Sequence, residues 1–201
     1  MGELDRKLED IAEIRAIMER SAKFLSLSGL SGVSAGCAAL AGAIVAQVYL
    51  NGKGGYVADD PAVQQFLTID ALIVLVIALL LALLFTRRMA KRKGLPVWNK
   101  TAQYLLTSLL IPIGTGAAVC VILAVQGLFV YAVPSTLIFY GLGLTDASKY
   151  TLHEVQYLGL ADIVLGLVGA IIPMQAPWLW AAGFGVLHIV YGIVMYRTYE
   201  R

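Results

Sequence analysis

Residues 66–85 read FLTIDALIVLVIALLLALLF, twenty positions of which only Asp70 carries a charge. A helix rising ~1.5 Å per residue needs about 20 apolar residues to cross a ~30 Å hydrocarbon core, so this one run is long enough to span a bilayer. The rest of the chain shares its character. Of 201 residues, 59% are hydrophobic and 14% charged, against about 45–50% and about 25% in soluble domains, and the mean hydropathy is +0.79. Disorder is excluded and a water-soluble globule is disfavoured. A net charge of +2 gives no bulk excess that would argue for a nucleic-acid partner. Cys37 and Cys120 are too few and too far apart for a disulfide framework or a paired-cysteine zinc site.

Outward from this run, five further stretches reach or approach spanning length, giving 24–50, 66–85, 104–125, 128–144, 152–172 and 177–196. Backbone amides in lipid must bond within their own segment, so the expectation is an all-α integral membrane protein with six transmembrane helices over 24–201. The fourth stretch is short and contains Pro134, which leaves a re-entrant segment as its alternative. Basic residues stay on the cytoplasmic side. With six spans and the N-terminus inside, every Lys and Arg except Lys53 falls on that side: Arg6 to Lys23, Arg87 to Lys100, Lys149, Arg197 and Arg201. Both termini are therefore expected in the cytoplasm, in a multi-pass protein of the cell membrane.

Local signals agree with this threading. Asp60-Pro61 reads as an N-cap followed by proline at the first helical position, and Thr151 with Glu154 fits a capping box. Residues 1–23 are highly charged, with Leu4, Leu8, Ile11, Ile14 and Met18 at helical spacing, which predicts a cytoplasmic amphipathic helix and not a signal peptide. Its near-neutral charge suits docking on the protein's own loops or on a cytoplasmic protein partner better than anionic lipid.

Small residues let membrane helices approach closely. Ser28, Gly32, Ala35, Ala39, Gly42 and Ala46 form one such face on the first span, which points to a central helix or to a homo-oligomer contact. The fifth span carries Gly159, Asp162, Gly166 and Gly169, and the sixth Ala181, Gly185, His188 and Gly192. The second has no small face and is expected to meet lipid broadly.

Ionisable residues at membrane depth cost at least ~2.5–3.5 kcal/mol near the bilayer centre and so mark function or tight pairing. There are three, Asp70, Asp162 and His188. Asp162 precedes Pro173 by 11 residues and His188 follows Pro177 by 11, so both sit ~16 Å from the same turn. The spacing predicts an Asp162 to His188 contact near the midplane, direct or through one water. Such a pair can simply satisfy itself and fix helix register, form a proton relay or substrate site, or hold a metal. No second histidine stands at helical ligand spacing, so no metal or other cofactor is expected. Asp70, close to the outer edge of its span, can also be read as a snorkelling or capping group. Tyr140, Tyr157 and Tyr191 stand at levels where they could extend a hydrogen-bond network, and Trp98, Trp178 and Trp180 fit interfacial anchors.

Three spans plus three invite a search for an inverted repeat. A shift of 91 positions matches Tyr49 with Tyr140, Gln65 with Gln156 and Leu67 with Leu158, and brings Asp70 within one residue of Asp162. No phosphate-binding loop, His-Glu-x-x-His pattern or nucleophile elbow occurs, so an enzyme ranks behind two other readings. The first is a small transporter or channel with ligand or proton binding at Asp162, His188, Asp70, Tyr191 and Tyr157. The second is a non-catalytic sensor or assembly subunit that binds a partner through its cytoplasmic helix and basic loop. A solvent path to the polar pair would favour the first, and sealed packing around it the second.

Residues 183–192, GFGVLHIVYG, and 26–32, SLSGLSG, resemble stretches of uncharacterised bacterial polytopic membrane proteins with six spans. The resemblance implies a helical multi-span fold and carries neither an activity nor site residues.

Overall fold

Each apolar run becomes a helix. The computed structural model describes residues 28–94 and 96–200, and every regular element among them is helical. In chain order they are α1 (Gly29–Gly52), α2 (Pro61–Lys93), α3 (Lys100–Val125), α4 (Ala132–Ala147), α5 (Glu154–Ile171) and α6 (Pro173–Tyr199). All but α4 are long and apolar enough to cross a membrane. The expected amphipathic helix over 1–23 and the start of the first run at 24–27 lie outside the described residues.

The helices outrun several of the apolar stretches, because caps and charged turns continue a helix into water where hydropathy no longer marks it. α2 is the clearest case. Asp60 accepts a hydrogen bond from Ala62 N at 2.8 Å, with Pro61 behind it as expected. At the other end Lys91, Arg92 and Lys93 sit against the negative end of the helix dipole, and Gly94 closes it at φ 64°. The 33 residues of α2 therefore measure ~50 Å, well beyond a hydrocarbon core. α5 starts differently from its expected capping box. His153 is its N-cap and makes no side-chain cap bond, and Glu154 turns its carboxylate to the Tyr199 hydroxyl instead of back to the N-cap amide.

Glycine seams set the packing. α4 and α5 are locked backbone to backbone: a Cβ on Gly141 would lie 2.5 Å from Gly159 O, and one on Gly159 2.7 Å from Gly141 O. α1 meets α6 in the same way, Gly29 against Gly192 and Tyr196, and Gly36 against Gly185 and Ile189. That junction has its own cap, since Glu200 accepts from Gly29 N and, at 3.3 Å, from the Ser28 hydroxyl. It satisfies the first amide of α1, where Ser28 makes no cap bond.

The small face expected on the first span is thus real, with Ser28, Gly32, Ala39, Gly42 and Ala46 buried. Its partners, however, are α6 and, at Gly42, Val74 and Asp70 of α2 in the same chain. Ala35, on the same face, is only half-buried. α2 exposes most of its Leu, Ile and Val side chains, as its lack of a small face predicts, and α3 is equally bare.

The 91-residue repeat does not carry through. It moves the start of α2 close to that of α5, but would place α3 at 191–216, so that only its first nine residues fall on α6. What the halves share is pairing: α1 packs on α2 and α6, and α4 on α5 and α3. The packing of α5 on α6 has no equal between α2 and α3.

Candidate functional site

Where α4, α5 and α6 converge, three polar side chains meet: Tyr140, Asp162 and His188. Asp162 is 0% exposed and His188 6%. Both stand on the small faces of their helices, with Gly159, Gly166 and Gly169 buried beside Asp162 and Gly185 and Gly192 beside His188.

His188 follows directly on the π-helical segment Ala181–Leu187, which sits between α-helical Ala176–Trp180 and His188–Tyr199. Short π segments recur at functional sites because the widened turn leaves a carbonyl for a side chain. Here the ring takes it. Nδ1–H of His188 donates to Gly183 O at 2.9 Å, five residues back. A carbonyl can only accept, so Nδ1 carries a proton, and in the neutral ring Nε2 accepts from the Tyr140 hydroxyl, also at 2.9 Å. Phe184 buttresses the pair, with its ring centroid 4.9 Å from that of Tyr140 and 6.0 Å from that of His188.

The expected direct hydrogen bond between Asp162 and His188 is not formed. Both imidazole nitrogens are committed, one to Tyr140 and one to Gly183. Asp162 instead lies over Gly183, close enough that a Cβ there would stand 2.7 Å from its Oδ1. Both of its carboxyl oxygens are buried without a hydrogen-bond partner among the described residues. The two residues predicted to meet are thus brought to one place, around Gly183, without bonding each other. The sequence placed the level correctly from helical rise. It could not reveal the π turn, which shifts the ring's partner by one residue from ordinary α geometry.

The other site expectations divide. Tyr191 belongs to the neighbourhood: its hydroxyl is buried without a partner, and it lies within electrostatic reach of Tyr140 and Glu154. Tyr157 does not, being 70% exposed on the outer side of α5. Asp70 is separate as well, on α2 against Gly42 of α1. Of the three tyrosines at these levels, the one that bonds His188 is Tyr140. Gly183 was missed, and one more glycine in an apolar helix carries no signal of a carboxyl resting on it.

Chemically, the site offers an imidazole held at both nitrogens, a phenol that can pass on a proton, and a carboxyl free to bind one. No group of three or more His, Cys, Asp or Glu side chains suited to a metal occurs among the described residues. Two cavities lie away from this centre. One of about 120 Å³ at the α1 start is lined by Ser28, Arg88, Arg92 and Glu200, and one of about 380 Å³ by Pro61, Gln64, Thr68 and Phe129 among others. Comparison of the chain with protein-family models, with curated proteins and with solved structures found no match to it.

Proposed function

We propose that the chain is a multi-pass protein of the cell membrane with six crossings and both termini in the cytoplasm, and that it works as a small proton-coupled transporter or channel around Asp162, His188 and Tyr140. The observation that carries this reading is the Asp162 carboxyl, fully buried with neither oxygen hydrogen-bonded. A carboxyl kept only to fix helix register would be expected to bond the histidine beside it. Buried polar groups without partners are rare and call for an explanation, and at this depth a bare carboxylate is costly enough that it must take up a proton or a cation.

α4 supplies the sixth crossing. Its 16 residues and the 3-10 turn before it together measure ~30 Å. The threading rests on the basic residues, all of which except Lys53 fall on one side of a six-span path.

The test is proton flux in liposomes holding the purified chain, comparing the wild type with Asp162→Asn and His188→Ala. Flux in the wild type that is lost in Asp162→Asn supports the reading, and equal flux in all three removes the pair from the mechanism. One observation favours the second reading, a sensor or assembly subunit: Asp162 is 0% exposed and His188 6%. Under that reading wild-type liposomes carry no proton flux at all.

A further inference from the structure

Among the described residues only five buried side-chain oxygens lack a hydrogen-bond partner: Tyr56 Oη, Glu154 Oε2, both oxygens of Asp162, and Tyr191 Oη. All except that of Tyr56 lie on α5 and α6, and the order in which they run along the two helices is informative. Glu154 and Asp162 are eight residues apart on α5, about 80° apart around the axis and ~12 Å along it. Tyr191 is three residues beyond His188 on the antiparallel α6, ~4.5 Å towards the Glu154 end. Tyr191 is within electrostatic reach of Glu154 on one side and of Tyr140 on the other, and Tyr140 is within reach of Asp162. At the far end the Glu154 Oε1 accepts from the Tyr199 hydroxyl at 2.8 Å, and Tyr199 is surface-exposed.

A packing defect would scatter such atoms through the molecule. Here they form a file from a half-buried carboxyl at one helix end to a sealed carboxyl mid-helix, with a hydroxyl between. Each can accept or relay a proton.

We infer that the α5–α6 seam is a proton path open to the cytoplasmic side, in which Glu154 is the loading carboxyl and Tyr191 the relay to Tyr140, His188 and Asp162. The inference rests on the reading of Asp162 as a proton-binding group and adds the side from which it is loaded. The balance is simple. Glu154 takes a proton from water and gives it up inwards. The Tyr191 oxygen gains that proton as it releases its own to Tyr140, and Tyr140 gains it as it releases its own to an Asp162 oxygen, so no charge stays on either phenol.

The test is infrared spectroscopy of the full chain in lipid, following the protonated-carboxyl band that disappears in Asp162→Asn after transfer to D2O. The wild-type band shifts by exchange of the Asp162 proton. In Glu154→Gln and in Tyr191→Phe the exchange slows by about 100-fold, the low end of what a positioned proton-transfer group contributes. Tyr191→Phe removes a single oxygen, so it keeps the test informative where Glu154→Gln disturbs the helix start. Exchange at the wild-type rate in both variants overturns the path while leaving Asp162 as a proton site. A wild type with no band assignable to Asp162 overturns both the path and the reading beneath it. Absence of flux in liposomes, by contrast, would sink only the transport reading.

Discussion

The Asp162 carboxyl is buried with neither oxygen hydrogen-bonded, and substitutions should show it. A leucine copies the branched shape of the aspartate side chain without its unpaired oxygens, and leaving a buried polar group unsatisfied costs about 1–3 kcal/mol. Asp162→Leu is therefore expected to melt higher than the wild type in detergent while losing proton flux. A lower melting temperature would show that the carboxyl is bonded after all. Tyr140→Phe has the opposite sign. It strips His188 Nε2 of the hydroxyl it meets at 2.9 Å, leaving that nitrogen unpaired, and should destabilise by about 1–3 kcal/mol in the same melt.

Outside the helices, Tyr56 gives a pH signature. Burial, with Asp59 beside it, pushes its phenol up from 10.0 to about 12. The folded state then holds that proton more tightly than the unfolded chain does. The stabilisation is complete below pH 10 and is lost as pH rises towards about 12. Tyr56→Phe should flatten this alkaline loss in pH-dependent unfolding, and an unchanged slope would count against the burial of that hydroxyl.

Among the helices, stability resides in glycine seams. Gly141 lies against the Gly159 carbonyl, whereas Gly114 of α3 has open space around it. Overpacking a tight contact costs about 1–3 kcal/mol, while an exposed helical Gly→Ala gains up to about 1 kcal/mol. Gly141→Ala should thus lower, and Gly114→Ala raise, the unfolding midpoint, with equal shifts telling against the α4–α5 contact. The same seams show what sequence could read at this scale. The small faces of α1, α5 and α6 were legible from their spacing of three and four. Which helix each face meets was not, since small residues invite close approach without naming a partner, and α1 could have faced a second copy as well as α6.

For the whole molecule, threading is open to chemical test. With Cys37 and Cys120 replaced by serine, a cysteine at Lys53 should react with a membrane-impermeant maleimide on intact cells. One at Lys91 should react only after permeabilisation. Labelling of both on intact cells would rule out six spans with the termini inside. The bare surfaces of α2 and α3 suit lipid contact and need no protein partner to explain them.

Hydropathy and helical rise determined from sequence alone that the chain is helical, where its apolar helices run, and that Asp162 and His188 share a level, because these follow from local composition and a fixed 1.5 Å step. Only the tertiary structure decided what those two residues bond. A π turn sends the imidazole to Gly183 and Tyr140 and leaves the carboxyl alone, an outcome set by side-chain packing between three helices and by one extra residue in a helical turn, neither of which spacing along a chain encodes.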